Sequence, residues 1–165
     1  MELSSKTDAE LDRWIANHEE RKLTETPLYR SLLEERARRS QLTHKLRIDR
    51  SMELLKNAAL MQVCTTYGAL AQASDVPWSL ARRQMDGANG HLDRLSDLCH
   101  ARGLPFLTAL VVNQQDVETG VLKGEALRGF IACARRLNHL ITDEVAFHQA
   151  RRDECWAWGR AQTGD

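Results

Sequence analysis

The chain of 165 residues carries 23 Lys and Arg against 23 Asp and Glu, and 42% of its residues are apolar. The zero net charge excludes a strongly basic histone-like binder and a strongly acidic DNA mimic, and leaves room for a local basic face. The length suits one domain, or one domain with an added arm, that removes about 70% of the unfolded chain's surface from water, and the composition is globular rather than disordered.

No run approaches the ~18 uninterrupted apolar residues of a membrane span. The start, Met1-Glu2-Leu3-Ser4-Ser5-Lys6, lacks a charged-then-apolar secretory pattern, so the expected location is cytoplasmic. Cys64, Cys99, Cys133 and Cys155 are scattered through helical or buried stretches, which reads as free thiols in a reducing compartment.

Ser5, then Asp8-Ala9-Glu10-Leu11, marks a helix start with acids in the first turn, and Leu11, Trp14, Ile15 and His18 share a face of a helix over 6–21. Thr26-Pro27 reads as a cap followed by proline at the first helical position, opening a second helix with Leu28, Leu32 and Leu33. Its middle is almost wholly polar. The pattern resumes with Leu42, Leu46, Met52, Leu55 and Ala59, as one long helix or as two with a break near 40–49. Residues 1–20 hold two basic and six acidic groups, whereas residues 21–50 hold nine basic and four acidic. The basic stretch is either a solvated face pairing with the acidic first helix or a binding face that includes Arg36, Arg38 and Arg39.

Thr65-Thr66 caps a short helix over 67–73, Asp75-Val76-Pro77 breaks it, and a second short helix runs over 78–85. Asp86-Gly87-Ala88-Asn89-Gly90 is a turn in which Asn89 caps a helix reaching 102, with Leu92, Leu95, Leu98 and Cys99 on its apolar face and Gly103 as a left-handed C-terminal cap. The apolar run 104–112 reads as a strand, and any partner is short, such as Val121-Leu122 beyond a turn at 114–120. An amphipathic helix over 125–138 and a last helix from Thr142-Asp143-Glu144 to Trp158, ended by Gly159, complete the chain.

Short helix, turn, helix, strand and turn is the order of a winged helix. The segment Thr65-Thr66-Tyr67-Gly68-Ala69-Leu70-Ala71 resembles the Thr-Tyr-Gly-x-(Ile/Leu)-Ala segment of the winged-helix domain of alkylguanine-DNA alkyltransferases and alkyltransferase-like proteins. The resemblance covers roughly residues 63–113 and implies a recognition helix at 89–102, with Tyr67 against nucleic acid. Where those enzymes carry a Pro-Cys-His-Arg acceptor box, this chain has Leu104-Pro105-Phe106-Leu107, so the nucleophile is missing. Cys99-His100-Ala101-Arg102 is no substitute, because Cys99 falls on the apolar face of its helix. The run from Leu104 to Asn113 is also similar to small prokaryotic proteins with a Leu-Pro…Ala-Leu-Val-Val-Asn strand, a similarity that implies no activity.

No dinucleotide-binding, P-loop or nucleophile-elbow motif occurs, and the six histidines lack metal-ligand spacing. No catalytic residue, metal or cofactor is therefore assigned. Trp156 and Trp158 point to opposite sides of the last helix, one as a core lid and Trp158 as a candidate partner anchor. The pairs Arg135-Arg136 and Arg151-Arg152 read as solvated.

The expected fold is mainly α, with a winged-helix-like core (63–123) bearing one short strand pair, wrapped by an N-terminal helical arm (1–62) and a C-terminal helical pair (124–165). The expected function is non-catalytic binding of double-stranded DNA by a small bacterial or phage protein. Tyr67, Arg82, Arg83, Asn89, His91 and Arg94 are the contacts, supported by the arginines of 36–50. The alternative is a protein–protein module acting on a host complex, or a homodimer, through Arg36, Arg38, Arg39 and Trp158.

Overall fold

A computed structural model describes residues 2–164. The protein is mainly α, with eight α-helices and one short strand pair among the described residues. The helices are α1 (Asp8–Glu20), α2 (Pro27–Ser40), α3 (Ile48–Met61), α4 (Tyr67–Ala73), α5 (Trp78–Met85), α6 (His91–Ala101), α7 (Gly124–Arg136) and α8 (Glu144–Gln162). None is long and apolar enough to cross a membrane.

Local chemistry sets most of these boundaries. Thr7 and Glu10 form a reciprocal capping box at the start of α1. Thr26 accepts from the Tyr29 N–H, with Pro27 in the first turn of α2. The polar stretch after Ser40 is a true break. There the Gln41 amide bridges the gap, donating to Leu46 O at 2.8 Å and accepting from the Ile48 N–H at 2.7 Å. Thr66 caps α4 through the Ala69 N–H, and Gly103 takes the left-handed conformation (φ 67°) just beyond α6.

The strand expectation fails in an instructive way. Residues 104–112 are not one strand: Leu107–Leu110 wind into a 3₁₀ turn, and only β2 (Val111–Val112) is extended. Its partner is not Val121-Leu122 but β1 (Thr65–Thr66), paired in parallel with Thr65 opposite Val111 and Thr66 opposite Val112. The run is apolar because it is wholly enclosed: Leu107, Ala109, Leu110 and Val112 have no exposed surface. Burial on all sides removes the alternation that separates strand from coil or helix. The strand pair sits at the base of α4–α6 and fixes where the chain enters and leaves that segment.

A single cluster of buried apolar side chains runs from Leu11 to Cys155, with α2 against α6 and α3 against α8. All four cysteines are free and buried within it. The last helix does not stop at Gly159. It continues to Gln162, and Gly159 is the point of closest approach to α3, where an added Cβ would lie 2.1 Å from Ala59 O. Gly159→Ala is therefore expected to force the two helices apart and destabilise the fold by about 1–3 kcal/mol or more, seen as a lower urea midpoint. An unchanged midpoint would mean that the helices do not meet this closely.

Candidate functional site

Helix α6 carries an unusual load. Besides Leu95, Leu98 and Cys99 it buries His91, Arg94, Ser96 and Asp97, and none of its residues is exposed. The Asp97 carboxylate has no solvent exposure and receives three guanidinium groups. Arg36 of α2 reaches Oδ2 at 3.0 Å, Arg94 reaches the same oxygen at 3.1 Å, and Arg136 of α7 donates to Oδ1. Arg136 also donates to Glu19 of α1 at 2.8 Å, and Glu19 accepts from the Tyr29 hydroxyl at 2.9 Å. Arg36 also contacts Asp12 of α1 at 3.4 Å. The cluster thus joins α1, α2, α6 and α7 through charge-assisted hydrogen bonds.

This geometry corrects several sequence expectations. Arg94 is held between Asp97 and Asn89 and does not face a ligand. Asn89 is not the helix cap, a position taken by Gly90; its side-chain oxygen accepts from Arg94 instead. His91 is buried with its Nε2 2.7 Å from Ser51 Oγ, and desolvation, reinforced by the nearby His44, holds its pKa down to about 4. Arg136 is no solvated residue but part of the Asp97 cluster. Arg36 is largely enclosed, Arg39 is tied to Asp8, Glu35 and the Leu3 carbonyl, and exposed Arg38 forks onto Glu35. These three arginines are thus neutralised, in part by the acidic first helix. Trp158 is partly buried against the core rather than free as an anchor.

Arg82 and Arg83 are both exposed on α5, and no ion pair forms with either among the described residues. The 41–47 link lies beside them, because the Lys45 N–H donates to Gln84 Oε1 at 3.0 Å. The Lys45 side chain is exposed and also without an ion pair among the described residues. Three uncompensated cations therefore flank one short helix, whose first residue, Trp78, is 47% exposed.

Next to this face is a groove of about 970 Å³ between α6, α7 and residues 113–123, with Tyr67, Trp78 and the 86–88 turn at its edge. Tyr67 is half-buried, and burial pushes its hydroxyl up to about 12. Ser96 and Thr108 hydroxyls pair at 2.8 Å on the buried side of the groove. Half-buried Asp93 and exposed Asp86 also line it, and burial raises the pKa of Asp93. Cys133 lines it too, but burial pushes its thiol up to about 12, the opposite of what a nucleophile needs. Cys99 is enclosed and pushed up to about 11. A second depression, of about 830 Å³ between α2, α3 and α6, is lined by charges that satisfy one another, such as Arg102 with Glu34 and Arg38 with Glu35.

Comparison of the chain with protein-family models, with curated proteins and with solved structures gives no match. Sequence reasoning missed Asp93, Asp97, Asp86 and Trp78 as a group. The one available signal was the Arg94–Asp97 pair, spaced i, i+3 along a helix otherwise rich in leucine.

Two outcomes follow. Asp97→Ala leaves three arginines around an empty centre and is expected to cost about 3–5 kcal/mol, measured by chemical denaturation; a loss under about 1 kcal/mol would show that the cluster is not a structural keystone. The second concerns His91, which titrates near 6.5 when unfolded but only near 4 when folded. Between these values the unfolded chain binds the extra proton, so stability is full above pH 6.5 and falls as pH drops toward 4. The slope due to His91 approaches about 1.4 kcal/mol per pH unit, and His91→Gln should flatten it.

Proposed function

We propose that the protein is a non-catalytic binder of double-stranded DNA that grips phosphates through α5 and the adjoining 41–47 link. The observation that carries this reading is that Arg82 and Arg83 of α5, and Lys45 on the link whose backbone bonds Gln84, are exposed and without an ion pair among the described residues, on a chain that neutralises most of its other arginines. Guanidinium and ammonium groups kept clear of counter-charges are available to phosphate oxygens, and binding them releases counterions. Exposed Trp78 and half-buried Tyr67 lie within reach of the same edge and offer ring surface to a nucleic acid.

The contact surface differs from the one the winged-helix resemblance implies. With Arg94 and His91 buried in α6, α5 is the element that meets the backbone, and those two residues act by holding α6 in place. Phosphate contact positions a protein without reading sequence, so weak discrimination between duplexes is part of this proposal.

A protein-recognition role is the second reading, favoured by the exposed Leu60, Met61 and Val63 at the end of α3. They adjoin Trp156, which donates to Val63 O at 3.1 Å. A titration of fluorescent duplex DNA at several salt concentrations separates the two. Three phosphate contacts predict a log–log salt slope of about −2.7, and Arg82→Glu/Arg83→Glu should flatten it by about 2 and weaken binding at least ~10-fold without unfolding the protein. Absence of binding at low salt, or an unaffected double variant, would reject the DNA reading and favour a protein partner.

A further inference from the structure

We propose that the groove between α6 and α7 is a binding site for a small organic cation, a protonated amine carried on a flat apolar frame. Its volume of about 970 Å³ lies in the range of sites that enclose a small molecule. Three aromatic rings line it, Tyr67 and Trp78 at the edge and Phe130 from α7. These supply apolar surface and negative π faces, which attract cations.

The charge inventory decides the sign of the ligand. Four carboxylates line the groove: Asp86, Asp93, Asp116 and Glu125. Lys123 pairs with Asp116 at 3.3 Å and Arg128 with Glu125 at 3.2 Å. Arg136 also lines the groove, but its guanidinium is committed to Asp97 and Glu19. That leaves Asp86, at the solvent-exposed rim, and half-buried Asp93 without an ion pair among the described residues, and burial disfavours the charge on Asp93. Asp93 feels Arg136 and Arg94 nearby and accepts from the Cys133 thiol, but neither guanidinium pairs with it. A cation entering here would give both carboxylates a direct partner and meet the aromatic rings in the same step, whereas an anion would meet cations already committed elsewhere. The Ser96 and Thr108 hydroxyls add a polar point on the buried side that orients the head group. The groove is thus opposite in character to the basic face of α5, and the two surfaces would take different ligands.

Tryptamine is a suitable probe, compared with its neutral isostere tryptophol and its anionic isostere indole-3-propionate, by amide chemical-shift titration of the full chain. Tryptamine should bind saturably at about millimolar affinity, with shifts centred on Trp78, Asp93, Ser96 and Ala126. Tryptophol should bind at least ~5-fold more weakly, and the propionate should not bind. Asp93→Asn, and independently the exposed Asp86→Asn, should each weaken tryptamine by about 5-fold or more; the second variant preserves the test if the first disturbs folding. Arg82→Glu/Arg83→Glu should leave tryptamine binding unchanged, so this inference and the DNA reading fail separately. Equal binding of all three probes, shifts outside the groove, no tryptamine response by about 10 mM, or folded aspartate variants that bind like the parent would each overturn it.

Discussion

A fully buried carboxylate does not persist without compensation, and the packing of this protein is organised around one. Asp97 sits where α2, α6 and α7 converge, and three arginines from these helices meet on its two oxygens. Each of those arginines brings a charge that also needs neutralising, so Glu19 and Asp12 of α1 are recruited in turn. The network thereby fixes relationships that apolar contact leaves loose. Leucines on α2 could slide along α6 at modest cost, but the Arg36–Asp97 contact holds one register. Buried ionic groups of this kind are a poor source of net stability and a strong constraint on geometry. The groove inherits that constraint, because Asp93 and Ser96 share α6 with Asp97, and Arg136 anchors α7 opposite them.

The elements that were legible in the sequence are those whose limits are set by neighbours in the chain. Thr26-Pro27, Thr66 and Gly103 announce helix ends by satisfying or freeing backbone groups within a few residues, and the helices over 67–73 and 78–85 stand where the sequence placed them. What could not be read depends on distant partners. Residues 104–112 offered no alternation because burial is complete, so a 3₁₀ turn passed for a strand. Gly159 looked like a helix stop because glycine often is one, yet its role is to let α8 lie against Ala59 of α3.

The candidate site shows the same division more sharply. The sequence presents Arg94 and His91 as DNA contacts on a recognition helix and Arg136 as solvated, since charged residues are rarely enclosed. Their partners, Asp97, Ser51 and Glu19, come from positions that no local pattern connects to them. Arg82 and Arg83 lie exposed, and no acidic side chain pairs with them among the described residues. The division of labour among arginines is therefore a property of the tertiary structure: one set locks helices together, another balances its own helix, and a third stays free. The net charge of zero conceals this, because it sums a neutral interior network, mutually paired surface groups and the exposed arginines of α5.

The burial of all four thiols has a consequence for how the molecule can be watched. Cys64 lies just before β1, Cys99 in α6, Cys133 in α7 and Cys155 in α8, so the sulfurs belong to four different elements, with Cys64 and Cys99 both near Cys155. Burial raises the pKa of each, which keeps the reactive thiolate scarce while the fold is closed. Alkylation of a given cysteine therefore proceeds through the moment when its surroundings part. The four labelling rates form a built-in map of local opening, in which Cys133 reports on the wall of the groove and Cys155 on the seam between the last helix and the core.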